Sequence, residues 1–114
     1  MDKLTNYRAN IKEAITYYAT SRRMMNAGDS DFQLIFDDMN GHYQLYRVGW
    51  ENLQRIHYCV FHIDIKNDKV WVQEDATDYD IVGVLEEDFN IPKQDIVLAF
   101  HAPYKRPFTG YAVA

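Results

Sequence analysis

Two histidines and an aspartate on one predicted strand are the residues best suited to hold a metal ion. His57 and His62 are five residues apart, and an odd separation places two side chains on opposite faces of a regular strand. They cannot then bind one ion unless a β-bulge lies between them. His62 and Asp64 do share a face, but a zinc site usually needs a third protein ligand, and none lies at motif spacing. The sequence therefore predicts a hydrogen-bonded His62–Asp64 pair, with no metal and no other cofactor.

A second pattern, Asp64-Ile65-Lys66, has the D-x-K form of restriction-type nucleases. That chemistry needs two carboxylates to hold Mg²⁺ and a lysine near the attacking water, and Asp37 or Asp38 could supply the second carboxylate. The tripeptide is short and common, and it ends a strand just before a turn, where exposed Asp and Lys are ordinary. A Mg²⁺-dependent nuclease using Asp37, Asp64 and Lys66 is thus an alternative rather than the leading interpretation.

The sequence shows no nucleophile arranged for covalent catalysis. Cys59, the single cysteine, lies in the middle of a predicted strand, as expected of an inert buried thiol. No serine stands with a histidine and an acid in a recognisable elbow, and the five glycines are scattered rather than gathered in a phosphate-binding loop. The sequence predicts a protein that is not an enzyme.

The distribution of charge favours a protein partner over nucleic acid. The net charge is −5, and phosphate binding needs clustered Lys and Arg, so autonomous DNA binding is disfavoured. Residues 74–95 carry eight acidic groups against Lys93 alone, whereas residues 1–23 have a net positive charge. Such an acidic segment is usually a solvated helix face, and the sharper hypothesis is a surface that docks on a basic partner.

Five residues are candidate partner contacts. Glu86 and Glu87 lie near the predicted C-terminus of a helix, where the helix dipole disfavours carboxylates, so local structure does not account for them. Trp50 lies near a strand end and could anchor a partner. Lys105 and Arg106 lie in a loop bracketed by two prolines.

Packing across neighbouring strands is the expected role of three aromatic residues, Trp50, Tyr58 and Trp71.

The apolar pattern of the first two-thirds of the chain predicts a helix followed by a four-stranded antiparallel meander. A stripe at intervals of three and four predicts a helix over 3–19, and the polar segment 20–31 is expected to be a loop. Tight turns are expected at Asn40-Gly41 and Asn67-Asp68. Alternating, β-branched and aromatic residues predict four strands, 32–37, 42–50, 55–65 and 69–74.

A helical period returns after the meander. Thr77 and Asp80 resemble a capping box, and the apolar spacing predicts a second helix over 78–89 that cannot continue through Pro92. Residues 96–100 suit a buried C-terminal strand. Two helices on one face of a mostly antiparallel sheet make an α+β fold, which we expect to form a single domain over residues 1–114.

Five blocks of the sequence stand out together: Val48-Gly49-Trp50, 55–65, 69–77, 90–100 and the terminal 111–114. They resemble the fdxN-element excision controlling factor family of XisI-like proteins. The likeness covers nearly the whole chain, and the blocks are long and in the same order. Asn90 departs from the family pattern, which favours glycine at that position.

The resemblance implies an accessory, non-enzymatic role in the cyanobacterial excision of a DNA element by a site-specific recombinase. The protein would act through protein contacts and reach DNA only indirectly. An XisH-like protein is the implied partner, and the recombinase itself is a further one. An inhibitor or antitoxin-like partner of a nuclease, whose acidic surface would block a basic DNA cleft, is an alternative in the same class.

Length and composition bound the remaining properties. A chain of 114 residues, 47% hydrophobic and with one cysteine, is expected to fold as one globular domain without disulfides. No apolar run approaches the roughly 18 residues of a membrane span, and the N-terminus lacks the apolar block of a signal peptide. We therefore expect a cytoplasmic protein with no membrane partner. A homodimer is one arrangement that would cover the edge strands of the meander.

Overall fold

An N-terminal helix lies on one face of a five-stranded sheet in the computed structural model, which describes residues 2–25 and 29–114. Helix α1 spans Lys3–Met25. The sheet has the order β1-β2-β3-β4-β5; its first four strands are antiparallel, as predicted, and β5 pairs in parallel with β4. The strands are β1 Asp29–Asp37, β2 His42–Glu51, β3 Gln54–Lys66, β4 Lys69–Asp75 and β5 Ile96–Leu98.

Helix α1 begins as its sequence predicts but runs six residues past the predicted end at 19. The Asp2 carboxylate accepts a hydrogen bond from the Thr5 backbone N–H at 2.8 Å and so caps the first turn. Arg22 and Arg23 suit the negative end of the helix dipole, and Arg23 forms an ion pair of 2.7 Å with Asp31 of β1. The predicted loop is therefore wrong for residues 20–25 and 29–31, while its residues 26–28 lie outside the described residues.

One core lies between the sheet and the helices. Helix α1 contributes its predicted apolar stripe, including the fully buried Ile11 and Ile15. The strands contribute fully buried side chains, among them Tyr43, Leu45, Phe61 and Ile63. A smaller cluster on the opposite face joins Trp71, Val97 and Ala112, so the C-terminal segment covers part of that face.

Two β-bulges interrupt the ladder of the meander. Between β2 and β3, Leu45 lies opposite Phe61 but Tyr46 lies opposite Cys59, so Val60 is an extra residue. Between β3 and β4, the extra residue is Gln73 of β4. Because successive side chains point to opposite faces, each bulge changes which residues of paired strands share a face.

The second helical segment is shorter than predicted. Helix α2, Ile81–Gly83, is a single turn that continues into a π-helical turn, Val84–Asp88. Asp80 caps it by accepting a hydrogen bond from the Gly83 N–H at 2.9 Å. The predicted capping box is wrong, because the Thr77 hydroxyl instead donates to Asp75 and accepts from the Tyr79 N–H.

The chain leaves this segment through Asn90, whose φ of +59° lies in the left-handed region. Glycine adopts this conformation freely and asparagine tolerates it, so Asn90 fits a position at which the resemblance led us to expect glycine. Ile91 is then buried and Pro92 prevents further helix, as predicted. Strand β5 ends at Leu98 rather than at residue 100, and Phe100 is half-exposed.

None of the described helices is long and apolar enough to cross a membrane.

Replacement of Gly49 by alanine is expected to break the β1–β2 pairing. Gly49 has a φ of +151°, and a Cβ there would overlap the Asp29 carbonyl oxygen and the Ser30 Cα of β1. We expect Gly49→Ala to lower the free energy of unfolding by about 2 kcal/mol or more, measured by urea denaturation. Gly110→Ala is the matched control, because Gly110 also has a positive φ but has open space around it. Equal losses in the two variants would contradict the steric argument.

Candidate functional site

Three potential metal ligands meet on the outer face of the sheet, the face opposite α1. They are His42 of β2 with His62 and Asp64 of β3, and we call them the His–Asp cluster. The His42 Nδ1 and His62 Nε2 atoms lie 2.8 and 2.9 Å from the same Asp64 oxygen, Oδ1. One potential ligand atom from each residue lies within 4.8 Å of the other two. The predicted His62–Asp64 pair is confirmed, and His42 is an addition that sequence reasoning missed.

The bulge at Val60 brings His42 into this cluster. From the turn, Glu51 pairs with Gln54, and an uninterrupted ladder would place His42 opposite Ile63, which is fully buried in the core. The extra residue moves the pairing by one position, so that His42 lies opposite Asp64 on the outer face. No reliable signal in the sequence marks this bulge, so the hydrophobic pattern alone does not place His42 in the cluster.

The same bulge overturns the expectation for His57. His57 lies opposite Val48 and His62 lies opposite Gln44, so both histidines point to the outer face rather than to opposite faces. Four positions of β2 separate their partners, which corresponds to about 13 Å along the strand. His57 instead stands beside Tyr46, with ring centroids 5.7 Å apart, and is not a member of the His–Asp cluster.

The His–Asp cluster is held firmly on one side and is open on the other. The Asp64 side chain is 15% exposed, whereas those of His42 and His62 are 55% and 30% exposed. The Gln73 side-chain amide donates to the second Asp64 oxygen, Oδ2, at 3.3 Å. The hydrogen bond with Asp64 and the charge of that carboxylate raise the pKa of His42. The cluster thus presents imidazole nitrogens around one oriented carboxylate, with an accessible side.

The residues of the D-x-K hypothesis have other partners. Asp37 accepts hydrogen bonds from the backbone N–H and the side-chain amide of Asn40, at 3.0 and 2.8 Å. The Lys66 ammonium lies 4.7 Å from the centre of the Trp71 ring. The second proposed source of a carboxylate, Asp38, accepts from Lys12 and from the Tyr43 hydroxyl. Among the described residues, the potential ligands gathered around Asp64 are histidines rather than a second carboxylate.

Glu86 and Glu87 differ in their surroundings. Glu86 accepts a hydrogen bond of 2.8 Å from the Tyr111 hydroxyl and lies 3.8 Å from the Lys93 ammonium. Burial, together with the hydrogen bond to Glu86, raises the pKa of Tyr111 to about 12. Glu87 is exposed. The view that local structure leaves both residues unexplained is therefore wrong for Glu86, which attaches the C-terminal segment to the second helical segment.

The remaining candidate contacts also separate into exposed and structural residues. Trp50 is half-exposed and stacks with the Arg55 guanidinium, 5.5 Å from its ring centre. Lys105 is exposed. Arg106 donates to the His101 and Val113 carbonyl oxygens at 3.1 and 3.4 Å, so it fixes the C-terminal backbone. The predicted packing role is confirmed for the buried Trp71 and for Trp50, which packs on its cross-strand partner Arg55. For the partly exposed Tyr58 it stays a prediction.

Cys59 has the environment of an unreactive thiol. Its S–H group donates to the Phe61 carbonyl oxygen at 3.2 Å. Burial raises the pKa of the thiol, and the negative charge of Glu74 raises it further. Since the thiolate is the reactive form, both effects reduce the nucleophilicity of Cys59 at neutral pH.

A groove between α1 and the second helical segment carries both charge and aromatic surface. Its volume is about 460 Å³. Carboxylates of Glu13 and Asp88 line it together with Tyr17 and Tyr79, and the remaining lining is apolar. Tyr17 is largely exposed. We call this feature the acidic groove.

Comparisons with a family model and with solved structures agree over nearly the whole chain. A family model described as XisI protein matches residues 1–113. The crystal structure of a XisI-like protein from Anabaena variabilis ATCC 29413 is 41% identical, with a TM-score of 0.89, and the match covers 97% of this chain and 99% of that one. The structure of the fdxN element excision controlling factor XisI from the same organism is 36% identical, with a TM-score of 0.82 and coverage of 99% and 100%. No curated protein matches the chain.

Removal of Glu86 and of Glu87 is expected to have unequal effects on stability. Glu86→Ala leaves the Tyr111 hydroxyl without its acceptor, so we expect the free energy of unfolding to fall by about 1 to 2 kcal/mol. Glu87→Ala changes an exposed side chain and is expected to stay within about 0.5 kcal/mol of the unmodified chain. Chemical denaturation of the two variants checks the difference. Equal stability would show that the Glu86–Tyr111 hydrogen bond does not hold the C-terminal segment.

Proposed function

The chain belongs to the XisI family, and we propose that it is a non-enzymatic cytoplasmic accessory protein that controls the site-specific excision of a DNA element through protein contacts. The observation that carries this proposal is the relative named fdxN element excision controlling factor XisI, which matches this chain at 36% identity over 99% of its length.

We propose an XisH-like protein as the direct partner and the recombinase as a further one. The net charge of −5 supports contact with proteins rather than with DNA, because a phosphate backbone repels an acidic surface. Contact with DNA would then be indirect, through the partner.

The acidic segment 74–95 contributes to the proposed docking surface with only part of its charge. Four of its carboxylates serve the fold: Asp75, Asp80, Glu86 and Asp95 bind hydrogen-bond donors within the chain. The other four acidic residues are exposed: Glu74, Asp78, Glu87 and Asp88. Of these, Asp88 also lines the acidic groove.

The acidic groove suits a basic segment of the partner. Carboxylates from Glu13 and Asp88 would attract lysine or arginine side chains, and Tyr17 and Tyr79 offer aromatic surface against which those side chains can pack. We propose that docking begins here. The neighbouring Glu87 adds to the negative electrostatic potential that attracts the basic partner.

The same surface favours a second candidate function, inhibition of a nuclease. An acidic surface that docks on a basic DNA-binding cleft would exclude the DNA from it. The two functions are separated by assaying the protein encoded beside this chain for DNA cleavage, alone and with the chain added. Inhibition of cleavage supports the inhibitor, and binding without inhibition supports the accessory role.

Charge reversal in the acidic groove is expected to slow partner association. We expect Asp88→Lys to lower the association rate constant with the XisH-like protein encoded beside this chain by up to about tenfold at low salt. The reason is that the electrostatic attraction that steers the partner to the groove is lost. Glu51→Lys is the matched control, since Glu51 is also exposed but lies at the end of β2. Surface plasmon resonance from low to high salt measures both. Identical rates and salt dependence for Asp88→Lys and the unmodified chain would contradict docking at this groove.

The purified chain is expected not to cleave plasmid DNA in the presence of Mg²⁺. The Lys66 ammonium lies over Trp71, and Asp37 lies outside the His–Asp cluster; both observations support the non-enzymatic proposal. Gel electrophoresis of supercoiled plasmid checks this. Cleavage that is abolished by Asp64→Ala and retained by His57→Ala would overturn the non-enzymatic assignment.

A further inference from the structure

We propose that the His–Asp cluster binds one divalent first-row transition-metal ion, with zinc as the ion used to test it. The inference is separate from the proposed function, because it rests on the arrangement of His42, His62 and Asp64 rather than on any partner.

The spacing of the ligand atoms is close to that of a zinc site. Zinc bonds to histidine nitrogen and carboxylate oxygen are about 2.0–2.2 Å long, so ligand atoms around a tetrahedral ion are about 3.3–3.5 Å apart. The His42 Nδ1 and His62 Nε2 atoms now lie 2.8 and 2.9 Å from the Asp64 Oδ1 atom. An ion would therefore require each nitrogen to move away from that oxygen by about half an ångström. The two nitrogens, which lie within 4.8 Å of each other, would have to approach to about the same 3.3–3.5 Å.

The ligand types select zinc over the hard cations. Two imidazoles and one carboxylate suit zinc and its first-row neighbours, whereas Mg²⁺ and Ca²⁺ take oxygen ligands almost throughout. Three protein ligands with an open fourth position are the usual arrangement of zinc sites that keep a water molecule. The half-exposed His42 leaves such a position facing solvent.

The surroundings of the cluster orient its ligands before any ion arrives. Asp64 is the least exposed of the three, and the Gln73 amide holds its second oxygen at 3.3 Å. Hydrogen bonds of this kind, from a neighbouring group to a ligating carboxylate, fix the ligand and strengthen metal binding. All three ligands lie on paired strands in the middle of the sheet, and the Val60 bulge fixes their register.

The test is a zinc titration of the purified full chain by isothermal titration calorimetry, after dialysis against a chelator and then against chelator-free buffer. We expect one zinc ion per chain, with an affinity that falls by about tenfold or more in His42→Ala and in Asp64→Asn. His57→Ala is the matched control, because His57 is exposed on the same face and outside the cluster, and it is expected to bind like the unmodified chain. Mg²⁺ is expected to bind at least about tenfold more weakly than zinc.

His42→Ala keeps the test decisive, because His42 is half-exposed and its removal leaves the core unchanged; circular dichroism verifies the fold. Absence of zinc uptake at micromolar concentrations, or unchanged affinity in His42→Ala, overturns the proposal. An equal loss of affinity in His57→Ala also overturns it, since binding would then be spread over surface histidines. Equal affinities for Mg²⁺ and zinc would contradict the choice of metal class.

Discussion

One extra residue in β3, Val60, sets the register on which the outer face of the sheet depends. The hairpin of β2 and β3 must bury Tyr43 and Leu45 together with Phe61 and Ile63, and an uninterrupted ladder would place these two sets on opposite faces. The bulge brings them to the same face, and Val60 itself is buried, so apolar burial offsets the interrupted pairing. The outward position of the His–Asp cluster is a direct consequence of this apolar requirement.

The sequence predicts those elements in which local pattern and final environment agree. The stripe of α1, the four antiparallel strands and the turn at Asn67-Asp68 follow from apolar period and turn chemistry, and the two turn residues have the positive φ values expected of such a turn. Tertiary contacts decide the remainder. Arg23 reaches Asp31 and extends α1, while the Thr77 hydrogen bonds delay the start of α2 until Asp80 caps it. His42 is missed because a bulge leaves no reliable mark in the sequence.

The acidic segment shows why a count of charges does not define a binding surface. Eight carboxylates between residues 74 and 95 look alike in the sequence. In the structure, Asp80 caps a helical turn and Glu86 holds Tyr111, whereas Glu87 and Asp88 remain exposed. The proposed role in controlled excision rests on family membership. The surface proposed for that role consists of the exposed carboxylates that do not bind groups within the chain.

The register across the Val60 bulge is tested most directly by interstrand nuclear Overhauser effects in solution. The structure predicts contacts between backbone protons of His42 and Asp64 and of Leu45 and Phe61, together with contacts between Tyr46 and Cys59 on the other side of the bulge. A regular ladder would instead give contacts of His42 with Ile63 and of Leu45 with Val60. Observation of that second set would contradict the bulge and, with it, the assembly of the His–Asp cluster.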